Sequence, residues 1–182
     1  MRSLFDLEEV IIVPIGASPQ ETRDGVGKAN ATFLERTLSD GETLGCAWGR
    51  ALFSIGKSLR ELSFKDISVV QLIGGLNVSQ QINPQEILRL IVSKLNARAI
   101  WLNTPAIVDT VAIKQALLSD EGVRRVLDQG KRCDKALVGI GDVTTGASLI
   151  AAGALTVEDM EELKGLGAVG DIMSRFFDRE GA

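Results

Sequence analysis

The run Gly45-Cys46-Ala47-Trp48-Gly49-Arg50-Ala51-Leu52 sits where a buried strand turns directly into a helix. A helix start exposes backbone N–H groups that no helical carbonyl can satisfy. These groups carry partial positive charge, so an anion such as a sugar phosphate is a natural guest. Glycines at Gly45 and Gly49 let the backbone come close to such a ligand, and they would equally serve a tight turn that holds nothing. Arg50 can clamp a phosphate with its planar fork. Its charge is awkward beside a helix N-terminus, which favours a ligand role over an idle one. Trp48 is expected to pack rather than to stack on a sugar.

Further candidates follow other apolar runs. Gly74 and Gly75, with Asn77, end a β-branched stretch, and their N–H groups are suited either to a second side of an anion nest or to a simple loop. Gln80 and Gln81 carry amides able to donate to hydroxyls, though solvated loop residues fit them as well. Asp109 can accept from sugar hydroxyls, and it reads more simply as a helix cap before Thr110. Gly139, Gly141 and Asp142 close another apolar run. Asp171 follows Gly167-Ala168-Val169-Gly170 and lies between apolar stretches, where a carboxylate needs partners if buried.

Composition removes whole classes of chemistry. The 182 residues include no histidine, so neither a Ser-His-Asp nor a Cys-His mechanism can be built within the chain. Two cysteines, Cys46 and Cys133, are too few for a cysteine-only metal site and read as buried, reduced thiols. No metal or cofactor is expected. A net charge of −4 gives no electrostatic footprint for nucleic acid. Hydrophobic residues make up 45 % of the chain, enough for one domain with a real core. With neither a signal-peptide pattern nor a bilayer-length apolar run, a cytoplasmic protein with no membrane partner is expected.

Strand and helix signals alternate. Glu9 to Pro14 is a β-branched run and reads as a first strand. Residues 21–39 follow a helical period through Val26, Phe33 and Leu34. Thr43 to Ala47 reads as a second strand, followed by a helical face of Leu52, Ile55, Leu59 and Leu62. Ile67 to Ile73 reads as a third strand. Asn83 and Pro84 then fit the cap and first position of a helix, with Glu86 placed to close a capping box. Arg98 to Leu102 gives a fourth strand, and residues 109–119 and 121–132 give two helices. Lys135 to Gly141 reads as a fifth strand, and Thr156 to Asp159 opens a late helix. This order predicts an α/β domain: a Rossmann-like parallel sheet with helices on both faces. Ligands in such sheets sit beyond the carboxyl ends of the strands.

Taken in series, five stretches resemble one family. They are the Gly45–Leu52 run, Val70-Gln71-Leu72-Ile73-Gly74-Gly75-Leu76, Pro105-Ala106-Ile107-Val108, Ala136-Leu137-Val138-Gly139-Ile140-Gly141, and Gly167-Ala168-Val169-Gly170-Asp171-Ile172 with Arg175-Phe176-Phe177-Asp178. Their order and spacing resemble the sugar-binding effector domain of SorC-type bacterial transcriptional regulators over essentially all of residues 1–182. The resemblance implies a fold similar to glucosamine-phosphate deaminases and ribose-phosphate isomerases. It implies binding of a sugar or sugar phosphate without turnover, to control carbohydrate-metabolism genes. It also implies a homo-oligomer that reaches DNA only through a preceding helix-turn-helix module. The ligand-binding set it suggests is Gly49, Arg50, Ala51, Gly74, Gly75, Gln81, Asp109, Gly139, Gly141, Asp142 and Asp171, with no catalytic residue.

Three departures from the family pattern stand out. The first residues already match the effector domain, so no DNA-binding module is expected here. The match stops after Phe-Phe-Asp, where the family continues through another strand and a lysine-bearing turn, so the sheet is expected to lack its C-terminal part. Ala51 stands where a threonine hydroxyl is common, which costs phosphate binding about 1.5–3 kcal/mol if one charge-assisted hydrogen bond is lost. Two other functions stay open on the residues: an isomerase- or deaminase-like enzyme using Asp142, Asp171 or a glutamate, and a remnant that chiefly self-associates through uncovered apolar surface.

Overall fold

A computed structural model describes residues 6–76 and 83–182. In chain order the helices are α1 (Pro19–Thr37), α2 (Arg50–Ser58), α3 (Pro84–Leu95), α4 (Val111–Ser119), α5 (Glu121–Lys131), α6 (Ser148–Ala151) and α7 (Val157–Gly165). The strands are β1 (Thr43–Cys46), β2 (Ser68–Gln71), β3 (Arg98–Ile100), β4 (Lys135–Leu137), β5 (Ile140–Gly141), β6 (Gly170–Ile172) and β7 (Arg175–Phe177). Four strands form a parallel sheet in the order β3-β2-β1-β4. The other three form a small antiparallel sheet, β5-β6-β7.

The sheet is parallel because each crossover carries an amphipathic helix that must bury its apolar face. Leu44, Cys46 and Val69 project to one face of the sheet and share a core with Leu34 of α1, Leu52 and Ile55 of α2, and Ile87, Leu88 and Ile91 of α3. The opposite face meets the end of α5. A Cβ on Gly45 would come within 2.9 Å of Cys133 Sγ, and one on Gly130 within 3.0 Å of Leu72 Cδ2. Gly45 is therefore a packing residue, not a ligand contact. Both cysteines are free, and burial pushes the Cys46 thiol up to about 12.

Two strand expectations are corrected. Glu9 to Pro14 is not a strand: no ladder partner adjoins it among the described residues, and Ile12 is 76 % exposed. The segment lies along α1 instead, pinned by the Glu9–Arg36 ion pair at 2.6 Å. A β-branched run forms a strand only where a neighbouring edge accepts it. The expected strand from Lys135 to Gly141 divides at Val138-Gly139: β4 stays in the parallel sheet, and β5 leaves it to pair with β6. Two cap expectations also change. Asn83 caps α3 by accepting from Gln85 N–H at 2.9 Å, but Glu86 pairs with Arg89 rather than closing a box. Thr110, not Asp109, caps α4 by accepting from Ile113 N–H at 3.2 Å. The Thr156–Asp159 capping box on α7 forms as the sequence suggests.

Helices α1 and α2 meet at backbone contact. A Cβ on Gly27 would lie 2.6 Å from the Ser54 carbonyl. Gly25, two residues earlier on the same helix, faces only Val13 at 3.9 Å. Gly27→Ala is expected to destabilise the fold by about 1–3 kcal/mol through overpacking. Gly25→Ala should instead gain up to about 1 kcal/mol of helix propensity. Urea midpoints of the two variants measure this opposite pair directly.

Candidate functional site

The site is built where β1 runs into α2. Ala47 N–H still pairs with Leu137 of β4 at 3.0 Å, and Ala47 and Trp48 are buried. The chain then breaks sharply at Gly49, whose φ of 125° is open to glycine and strained for other residues. A Cβ there would meet nothing within 4 Å, so conformation and not crowding demands the glycine. Gly49 is the N-cap of α2 and has no side chain to offer. No acidic residue occupies the first turn either. By contrast α1, α3, α4, α5 and α7 are all capped by a side chain: Ser18, Asn83, Thr110, Asp120 and Thr156. The uncapped N–H groups of α2 open onto a cleft of about 180 Å³.

The cleft's other wall comes from the small sheet. After Val138 the chain passes Gly139, which a Cβ would bring to 3.6 Å from Trp48 carbonyl oxygen, and enters β5. Gly141 then lies opposite Asp171 of β6 in the antiparallel register. A Cβ on Gly141 would overlap Asp171 Oδ1, so glycine is the residue that lets this carboxylate lie over the β5 backbone. Asp171 Oδ2 accepts Ser174 N–H at 3.0 Å. That bond braces the β6–β7 turn, in which Met173 and Ser174 both take positive φ, 52° and 61°. Non-glycine residues in that region are strained by about 1–2 kcal/mol each.

Charged groups of both signs line the cleft: Arg50 and Arg23 come from α2 and α1, and Asp142 and Asp171 come from the end of β5 and from β6. Arg50 Nη2 donates to Gly146 carbonyl at 3.1 Å, tying α2 to the loop before α6. Asp142 accepts from the Thr144 hydroxyl and from Thr144 N–H. These bonds, with Arg50 nearby, hold its carboxyl below the ordinary range. Asp171 is only 7 % exposed. Desolvation pushes its carboxyl up, outweighing the Ser174 bond, and the neighbouring Asp142 charge pushes the same way.

Of the residues expected from the sequence, Gly49, Arg50, Ala51, Gly139, Gly141, Asp142 and Asp171 line this one cleft. Gly75 and Asp109 line a second cleft with Asn83, Gln85 and Asn103. Gly74 has a packing reason: a Cβ there would meet the Thr104–Pro105 backbone at 2.5–2.6 Å. Gly75 N–H is already committed to Thr104 carbonyl at 2.7 Å, which removes it from an anion nest. Gln81, Gln80 and Asn77 lie outside the described residues. The segment from Ser148 to Ala154 runs from the first cleft to the second. Arg23, Ser148 and Met173 join the first cleft unannounced. Only the fold brings α1 and the β6–β7 turn to this place. Among the described residues no group of three potential ligands is placed to hold a metal ion, and no helix is long and apolar enough to cross a membrane.

A parallel α/β domain with a polar cleft beyond its strand ends belongs to the ligand-binding class of such folds. More specifically, the chain belongs to the family described as "Putative sugar-binding domain" (Sugar-bind), which it matches over residues 1–182. It is 31 % identical to the transcriptional regulator YjhU of Escherichia coli, across 100 % of this chain and 57 % of that protein. It is 31 % identical to the erythritol catabolism regulatory protein EryD of Brucella abortus, across 86 % of this chain and 50 % of that one. The chain thus spans about half the length of these relatives. Among solved structures, the full-length sorbitol operon regulator SorC of Klebsiella pneumoniae superposes with a TM-score of 0.89 at 26 % identity, covering 100 % of this chain and 60 % of that one.

Asp171→Asn isolates the electrostatic cost of the carboxylate. The folded-state value of Asp171 is raised, so its ionisation opposes folding once the pH passes that value. The opposition vanishes as the pH falls below the ordinary aspartate value of 3.8, where both states are protonated. Asparagine keeps an acceptor for Ser174 N–H and drops the charge. The urea midpoint of Asp171→Asn is expected to equal or exceed the parent's at neutral pH. The gap should close on acidification, as a paired pH series will read.

Proposed function

We propose that this chain is the effector-binding part of a SorC-type transcriptional regulator and that it senses a sugar phosphate or sugar in the cleft between α2 and the small sheet. The observation that carries the reading is the uncapped start of α2. Among the described residues only the single-turn α6 shares this lack of a side-chain cap, and α2 leaves its N–H groups facing a cleft with Arg50 beside them. A phosphate satisfies those donors and the partial positive charge together. The carboxylates across the cleft accept hydrogen bonds from hydroxyls, which suits the remainder of a sugar. DNA would be reached through a helix-turn-helix module elsewhere in the regulator, and the working unit would be a homo-oligomer in the cytoplasm. Two of the relatives are named for sugar-alcohol metabolism, erythritol catabolism and the sorbitol operon.

Sensing is favoured over turnover. The chain has no histidine, and the named relatives are regulators. The rival isomerase or deaminase reading draws on the two cleft carboxylates, Asp142 and Asp171, which are pushed in opposite directions. An assay for aldose–ketose interconversion or deamination separates the two readings: saturable binding with no product supports the sensor, and turnover abolished by Asp171→Asn supports the enzyme.

A panel of phosphorylated sugars and polyols is expected to raise the melting temperature of the 182-residue chain, since a ligand that binds only the folded state stabilises it. Arg50→Ala should weaken a phosphorylated ligand by about 1.5–3 kcal/mol and leave an unphosphorylated analogue nearly unaffected. Calorimetric titration measures both. A complete panel with no thermal shift would refute the sensor reading.

A further inference from the structure

The reading of the cleft as a sugar-phosphate site leaves open which ligands its carboxylates refuse, and the inference here rests on that reading. We infer that Asp171, assisted by Asp142, restricts the cleft to ligands that are anionic at one end only: a phosphorylated polyol or sugar whose far end is a neutral hydroxyl, as against a bisphosphate or a phosphorylated sugar acid.

The geometry supports this in three ways. The helices supply the positive features: the α2 N-terminus, Arg50 and Arg23. The small sheet supplies the two carboxylates, on β6 and directly after β5, brought together by the Gly141–Asp171 register; Arg50 is close enough to lower the Asp142 carboxyl, while the charge acting on Asp171 is that of Asp142. Asp171 cannot swing away. Oδ2 is held by Ser174 N–H, Oδ1 lies over the Gly141 backbone, and the residue is almost wholly buried. Asp142 is fixed in the same manner by both donors of Thr144. Arg175, paired with Ile172 across the β6–β7 ladder, is exposed and does not line the cleft.

An ionised carboxylate only accepts hydrogen bonds. A ligand hydroxyl placed against Asp171 donates to it. A phosphate or carboxylate in the same place brings like charges together out of water, which is strongly unfavourable. The site is therefore selective by rejection at one end as well as attraction at the other.

Matched pairs of four-, five- and six-carbon ligands test this: each alditol phosphate against the aldonic acid phosphate of equal length, which differs only by a carboxylate in place of the terminal hydroxymethyl group. Inorganic phosphate serves as a third probe. With the 182-residue chain, titration calorimetry is expected to show the alditol phosphate binding about tenfold tighter or more, equivalent to ~1.4 kcal/mol. In Asp171→Asn the ratio should fall to within about threefold, ~0.65 kcal/mol, chiefly because the acid binds better. Asp142→Asn should move the ratio in the same direction by less, and it carries the comparison if Asp171→Asn does not fold. A parent with no preference, or a preference untouched in both variants while phosphate-dependent binding persists, overturns this inference and leaves the sensor reading intact. Failure of every probe, inorganic phosphate included, to bind the parent overturns both.

Discussion

The unsatisfied N–H groups at the start of α2 are the constraint from which the rest of the site follows. They exist because Gly49 must turn the chain from β1 into the helix and cannot supply a side-chain acceptor. They cannot be relieved by shifting the helix, because α2 is locked between α1 and α3. Gly27 of α1 touches the Ser54 backbone, and a Cβ on Gly56 would lie 2.9 Å from Leu90 of α3. Five other helix starts are closed by Ser, Asn, Thr or Asp, and the single-turn α6 is not. Leaving the start of α2 open and rigid conserves an electrostatic demand that an external acceptor can meet.

The small sheet supplies the counterpart. Its position depends on the chain leaving the parallel sheet at Val138-Gly139, one residue after β4 stops pairing with β1. Because β1 is central in the parallel order, that departure carries β5 across the β1–α2 turn. Gly141 then admits Asp171 over its backbone. The arrangement retains a desolvated carboxylate and a strained Met173-Ser174 turn, two unfavourable features in one place. Strain of this kind persists only where the surroundings over-determine it, and here it coincides with the cleft.

Much of this was legible in the sequence, for identifiable reasons. The parallel sheet followed from apolar runs alternating with helical periods, and α3 and α7 from their caps. Arg50 stood out because a cation is a poor choice beside a helix N-terminus unless something else is held there, and Gly49 because it lets the backbone come close to a ligand. Less legible were features set by tertiary pairing. The isoleucines of residues 9–15 have strong strand propensity and find no ladder partner. The fifth apolar run looks continuous, and only its two pairing partners divide it. Gly74 and Gly75 look in the sequence like Gly49 and Gly139, which line the cleft, yet they serve the Thr104–Pro105 crossing. Glycine reports that a backbone comes near something, and the sequence does not say what.

The backbone contact at Gly27 has a mechanical consequence. Two helices that touch without intervening side chains have no compressible layer between them, so they shift as one rigid piece. Helix α1 has 19 residues and is therefore ~28 Å long at the usual rise per residue. Its last turn is fastened to the segment ahead of it through Arg36 and Glu9. A small rotation imposed on α2 at its open end would therefore act on α1 as well, and through Arg36 on the Glu9 segment beside it.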